Sequence, residues 1–329
     1  MDTSEFTKGA ELIASGTVGD GAAVNGGPFR TGMDKFVRRD EFNAGFRARQ
    51  VLASAGKQLC MLLPLSSVLG SHRDINTVTF GIKHTYILDR ADASNSLHRS
   101  TAAGAGKFTV SHLSIWMPKV EPSVAVQTDI EGMLISGARR QLYFEQMRVY
   151  RQQFGKTVKT TTWKVTTNSS EELPRHIFIT FASTERDNSQ VQNNQVFDNA
   201  SVTRLSAWLN SRQYPERELE TDFTTTGRNY TRAYMMLQEA MNKYMETDSG
   251  SQVSVEDFAS LYPIFHIDVS KHHEKLKMGS VDIDLKWTLS KNFRNLENSD
   301  DIDYHVYCVI LSDRYLTLDA VSGKMNIIV

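Results

Sequence analysis

The residues that could do chemistry are few and poorly spaced for it. The stretch KHHEK puts His272, His273 and Glu274 side by side, the ligand types of a barrel-held metal site. Adjacent residues of a strand point to opposite faces, so two such imidazoles cannot meet on one ion without a bulge, and the stretch reads as a polar turn. Asp282 and Asp284 share one face of a strand-like segment. Paired catalytic acids normally approach across a cleft from different elements, whereas i, i+2 carboxylates on a solvent face need no chemistry to explain them. Two stretches imitate a phosphate loop. Gly104, Gly106 and Lys107 lack the first glycine at the required spacing and place Phe108 where a magnesium-binding hydroxyl belongs, while Gly155, Lys156 and Thr157 have Tyr150 at the first glycine position. Both fail as nucleotide sites. No GxSxG elbow occurs, neither Cys60 nor Cys308 sits in a nucleophile signature, and His305 is near Cys308 only along the chain. The chain is therefore expected not to be an enzyme. No catalytic, cofactor-binding or metal-ligating residue is assigned, and neither a cofactor nor a small-molecule substrate is expected.

What the sequence does specify is strands. From Leu261 the chain runs LYPIFHIDVS, then GSVDIDLKWTL, then YHVYCVILSDRYLTLDAVSGKMNIIV. Val281, Ile283, Leu285, Trp287 and Leu289 fall on one face while Asp282, Asp284, Lys286 and Thr288 take the other, the pattern of a half-buried antiparallel strand. Val78, Phe80, Ile82, His84, Tyr86 and Leu88 alternate in the same way, as do Leu113, Ile115 and Met117 up to Pro118. A small, polar loop, RADASNSLHRSTAAGAGK, separates these two. Further strands are expected over Thr160–Thr167, His176–Phe181 and Ser201–Asn210, whereas Tyr143–Phe154 suits a helix or a strand. Tyr230, Tyr234, Leu237, Met241 and Tyr244 recur at helical spacing and predict one amphipathic helix facing a core.

A length of 329 residues suits two domains, each with its own core. A formal net charge of -1 provides no global field for nucleic acid or anionic membrane, so any such contact must be local. The two cysteines lie in apolar runs and read as buried thiols, not as a disulfide framework. The N-terminus lacks a signal-peptide core, and the longest apolar run, about Leu59–Leu65, is far short of the ~20 residues that cross a bilayer. A soluble intracellular protein is expected, so the sequons at Asn168, Asn199 and Asn229 carry no weight. Residues 1–29 hold little that could pack. Arg30, Lys35, Arg38, Arg39, Arg47 and Arg49 then interleave with Phe29, Phe36, Phe42 and Phe46, a pattern open to a solvated helix, to a segment packing beneath the main body, or to nucleic-acid or membrane contact.

Several blocks taken together carry a family resemblance. LLPLSSVLG with VTFGIKHTYILDR, LSIWMPKVEPS, the block from HIFITFASTERDNSQ to ERELETDF, NYTRAYMML, VSVEDFASLYPIFHIDVS and YHVYCVILSDRYLTLDAVSGKMNI follow one another in a family-like order over about four fifths of the chain. The chain resembles the double jelly-roll major capsid proteins of Polinton or Maverick elements, adintoviruses and virophage-like DNA viruses. The resemblance implies an all-β fold of two eight-stranded jelly rolls in tandem, with a few short helices in connecting loops and a flexible N-terminal arm. It divides the chain into an arm at 1–57, a first jelly roll at 58–172 and a second at 173–329. It also implies a homotrimer that acts as a pseudo-hexameric capsomer in an icosahedral shell. Its expected partners are neighbouring capsomers and penton and minor capsid proteins, with a possible inner contact of the basic arm with nucleic acid or membrane. Its place would be the virion capsid, and the host cell interior during assembly. The chain is short for this group, which implies trimmed loops and a low outer tower. The alternative reading is a β-sandwich module that binds carbohydrate or protein through exposed aromatics such as Trp116 or Trp208. A jelly-roll metalloenzyme ranks third because of the histidine spacing.

Overall fold

The computed structural model describes residues 60–75, 85–92, 107, 109–136, 139–155, 159–165, 173–184, 187, 190, 196–224, 226–245, 253–271, 281–290, 303–319 and 324–327. Nine strands lie among them: β1 (Arg139–Phe154), β2 (Thr160–Val165), β3 (Leu173–Ser183), β4 (Val202–Leu209), β5 (Arg212–Glu220), β6 (Phe265–Asp268), β7 (Ile283–Leu289), β8 (Tyr304–Asp319) and β9 (Lys324–Ile327). Four α-helices and one 3-10 turn (Leu65–Ser67) accompany them: α1 (Gly70–Asp74), α2 (Val124–Ile135), α3 (Thr231–Met245) and α4 (Val255–Ser260).

The strands form two antiparallel sheets, one in the order β1-β8-β3-β6 with β9 added on β8, the other in the order β2-β7-β4-β5. The pairings nest: β4 with β5, β3 with β6, β2 with β7 and β1 with β8. Eight strands thus make one long folded-over hairpin. The ladders β3·β8 and β4·β7 roll that hairpin into two facing sheets, which is jelly-roll topology. Strands on both sides of residue 172 share each sheet, since β1 and β2 pair with β8 and β7.

The core lies between the sheets because the inner strands β3, β4, β6, β7 and β8 turn an apolar face inward. Along β7, Ile283, Leu285, Trp287 and Leu289 are buried while Asp284, Lys286 and Thr288 are half-buried on the other face, as the alternation predicts. Phe154, Phe181 and Trp287 meet at the centre, with Phe181 edge-on to Phe154 at 6.1 Å and to Trp287 at 5.9 Å. Such edge-to-face contacts suit the ring quadrupoles. Helix α3 buries a stripe of Ala233, Leu237 and Ala240, one face of a 3.6-residue period. The sequence stripe named Tyr234 and Met241 as core-facing; they pack at the margin of the core, and small alanines take the close approach.

Some expectations are corrected. The strand predicted over Val78–Leu88 lies partly outside the described residues, and its remainder from Thr85 is not part of a sheet. Leu113–Met117 belongs to no strand among the described residues, and Leu113 and Trp116 are 66% and 85% exposed. Alternation prepares a segment for a sheet, but a ladder needs a neighbouring strand, and none meets it among the described residues. Cys60, expected to be buried, is exposed, because the apolar run around it has no sheet to enter; Cys308 is buried as expected. Tyr143–Phe154 resolves as strand, since all sixteen residues of β1 pair with β8. Strand β5 is not predicted because RQYPERELE is charged and contains Pro215, a composition tolerated at the edge position it occupies. The N-terminal arm, the metal-like KHHEK stretch, Gly104 and Gly106, and Lys156 and Thr157 lie outside the described residues.

Phe181 is fully buried at the junction of both sheets. Phe181→Ala is expected to cost about 3–5 kcal/mol in urea unfolding. Asp282→Asn, on the solvent face, is expected to change stability by less than about 0.5 kcal/mol.

Candidate assembly face

The outer face of the five-stranded sheet is the most differentiated surface of the described residues. Register fixes its rows, because directly paired residues share a face. Tyr143 stands beside Tyr315, Glu145 beside Asp313, Met147 beside Leu311, and Val149 beside Val309. Met147 and Val149 are 56% and 58% exposed, and Leu311 and Val309 are half-buried. These four side chains make a solvent-facing apolar strip across two adjacent strands.

Polar contacts frame one end of the strip. Tyr143 Oη donates to Asp313 Oδ1 at 2.7 Å, and Arg175 donates to both, at 2.9 Å to the phenol oxygen and 3.1 Å to the carboxylate. Arg175 occupies the register shift between Pro174 and His176, so a bulge in β3 aims its side chain here. Burial, followed by the hydrogen bond to the Asp313 carboxylate, pushes the Tyr143 phenol up to about 12. Tyr143 also packs on Tyr315 with ring centroids 5.2 Å apart.

The free edge of β1 would be a template for unwanted pairing, and α1 covers part of it. The Glu145 amide donates to Asp74 Oδ2 at 2.8 Å, and the Glu145 carboxylate accepts from Arg73 at 2.6 Å. Glu145 is buried as a result. Gly70 makes this approach possible, because a Cβ there would fall on the backbone carbonyl oxygen of Glu145. The upstream part of the chain is therefore fastened beside the apolar strip.

The groups considered for chemistry are not brought together. Strand alternation places His305 and Cys308 on opposite faces of β8, with Cys308 in the core and His305 in contact with Asp187 at 2.6 Å. Burial pushes the Cys308 thiol up, away from the reactive thiolate. Asp282 is exposed and pairs with Lys164 at 3.2 Å. The Trp208 ring carries Lys286 Nζ 3.8 Å from its centroid, and its indole N–H donates to Ser206. That face of Trp208 is occupied from within. Sequence reasoning missed the seat of α1 and the Tyr143–Arg175–Asp313 cluster, since both join residues far apart in the chain.

Gly70→Ala is expected to lift α1 from β1, lowering stability by about 1–3 kcal/mol as overpacking does. Hydrogen exchange should report it as faster exchange of the Glu145 amide. A thiol reagent should label one cysteine, Cys60, in the native protein and both in denaturant. Two native thiols at equal rates would contradict the buried position of Cys308.

A model of the double jelly roll-like domain family matches residues 40–316. Among solved structures, the Sputnik virophage determined by cryo-electron microscopy matches with 12% identity and a TM-score of 0.34, covering 57% of this chain and 39% of that one. The PBCV-1 virus capsid matches with 7% identity and a TM-score of 0.34, covering 60% of this chain and 54% of that one. This chain thus spans about two fifths to just over half of those two chains. No curated protein matches. The family match extends over most of the sequence and includes every strand of the rolled hairpin up to Leu316 in β8, so the chain belongs to the double jelly roll-like domain family.

Proposed function

We propose that this chain is a major capsid protein, three copies of which form a pseudo-hexameric capsomer that tiles an icosahedral shell. The observation that carries the reading is a rolled eight-stranded sandwich whose outer face keeps the strip Met147, Val149, Val309 and Leu311 toward solvent. Upstream, Leu113, Ile115, Trp116 and Val120 are also exposed. Contiguous exposed apolar surface on a soluble protein marks an interaction site, and two such regions on one chain suit the heterologous contacts that close a ring. Family membership supports the same reading.

On this reading one jelly roll begins at Arg139, before the division expected at residue 172, because the β1·β8 and β2·β7 ladders join 139–165 to the downstream strands. Neighbouring capsomers, penton and minor capsid proteins are the proposed partners. The basic arm at 1–57 is proposed to lie on the inner side, toward nucleic acid, membrane or adjacent subunits. The work of such a protein is geometric, which fits the separation of His305 from Cys308.

Light scattering on the purified chain is expected to give about three times the 37.1 kDa chain mass. The contacts should bury well over the ~1,600 Å² of an ordinary interface. Met147→Asp combined with Val149→Asp should retain the native circular dichroism spectrum and shift the mass toward one chain. A wild-type monomer at micromolar concentration that binds a glycan array would instead favour a carbohydrate-binding sandwich.

A further inference from the structure

Two sheets leave four edge strands, and three of them carry some protection against pairing with another chain. Strand β5 holds Pro215 and a run of charges, β6 is only four residues long, and β1 bears four arginines with α1 seated at Glu145. Strand β2, TTTWKV, has none of these devices. It contains no proline, pairs with β7 without a register shift, and carries one charge, Lys164, which is matched by Asp282. Its threonines, tryptophan and valine favour the extended state.

The register shows where the backbone of β2 points. The Leu289 amide donates to the carbonyl oxygen of the opposed Lys159 at 2.7 Å, so this pair is a hydrogen-bonded one, and alternation gives the same role to Thr161, Trp163 and Val165. The amides and carbonyls of Thr160, Thr162 and Lys164 therefore point away from β7, and no strand takes them up among the described residues. The side chains of these three are exposed, while Val165 is buried and Trp163 is half-buried at the margin of the core. The edge thus presents six backbone groups and, on its inner side, an apolar row that stops short of covering Trp163.

The same chain carries a segment that matches this edge. In residues 112–117, Leu113, Ile115 and Met117 alternate with His112, Ser114 and Trp116. Trp116 Nε1 donates to Ser114 Oγ at 3.2 Å, which sets these two side chains on one side, as in a strand. Leu113, Ile115 and Met117 are all exposed, so their face is open to another molecule and not covered by the sandwich that carries it.

We propose that residues 112–116 of one copy add as a fifth, antiparallel strand to the free edge of β2 in a neighbouring copy. The proposal rests on the trimer reading above and names a contact that holds it together. Opposed residues share a face, so Trp116, Ser114 and His112 lie beside Thr160, Thr162 and Lys164, with Ile115 and Leu113 beside Thr161 and Trp163. A shift by two residues either sets Pro118, which has no amide to donate, opposite Thr160, or replaces Leu113 by Ser111 beside Trp163. Strand β1 does not suit an apolar donor, because the residues alternating with Met147 and Val149 include Gln146 and Arg148. Donor and acceptor lie at different places on the chain, so the contact is heterologous and three of them close a ring.

Disulfide trapping of the full chain tests this. Cys60→Ser removes the exposed thiol, and Ser114→Cys with Thr162→Cys then opposes two cysteines about 5.5 Å apart at Cα, within disulfide reach. Oxidation should give covalent species of two and three chains on a non-reducing denaturing gel, in at least tenfold excess over the control pair Ser114→Cys and Glu220→Cys, which targets β5. A bond within single chains, or no bond in a particle that light scattering shows to be a trimer, overturns the strand exchange and leaves the trimer standing. A monomer by scattering overturns both. If the cysteine variants do not fold, hydrogen exchange of the assembled wild type decides. The Thr162 and Lys164 amides should be protected to within tenfold of those of Thr161 and Trp163, which bond to β7; faster exchange overturns the proposal.

Discussion

The fold depends on β8. This strand pairs along its whole length with β1 on one side, and on the other with β3 over Tyr304–Asp313, so it joins the two halves of the five-stranded sheet. It is also the eighth strand of the rolled hairpin, and the partner it closes against, β1, is the first. Every turn of the roll between them must form before that ladder can complete. Such non-local pairing requires large loop-closure entropy before contact energy is gained, which makes it slow and cooperative. The inward residues of β8, Tyr304, Val306, Cys308 and Ile310, supply the enthalpy and burial that offset it.

The same strand organises the outer face. Its outward residues, His305, Val309, Leu311, Asp313 and Tyr315, form the middle column between β1 and β3. Toward one flank, Asp313 is tied to Tyr143 and Arg175, and α1 covers Glu145. Toward the other, α3 covers His266. The apolar strip lies between two flanks where Tyr143, Asp313, Glu145 and His266 already have partners within the chain, while Arg175 Nε is buried without one among the described residues. Burying the strip against another surface therefore strands none of those four groups, each of which would cost about 1–3 kcal/mol if left unsatisfied.

What was legible in the sequence was local. The alternation of Val281–Leu289 named the buried face of β7 residue by residue, and Tyr234 and Leu237 announced α3. Pairing was not legible, because no local pattern says that Arg139 will lie opposite Asp319. For that reason Tyr143–Phe154 stayed open between helix and strand until its partner was known. β5 escaped notice because an edge strand can be charged and carry Pro215, and the exposure of Cys60 and Leu113 escaped because an apolar run predicts burial only where a sheet receives it. The contact between His176 and His266 was invisible because 90 residues separate its members.

The two flanks differ in the kind of interaction that holds them, and this has a consequence for how the face responds to solution conditions. At the α1 flank the anchor is an ion pair and a carboxylate–amide bond, Arg73–Glu145 and Asp74–Glu145, with the arginine 41% exposed. Partly exposed charges of this kind are screened by salt. At the α3 flank the anchor is a pair of buried stacked rings, one of them bonded to a main-chain carbonyl, which ionic strength barely reaches. Salt therefore acts on one side of the apolar strip and not on the other. The α1 side can be loosened without disturbing the aromatic core beneath it, because Phe154, Phe181 and Trp287 face the opposite side of the strands.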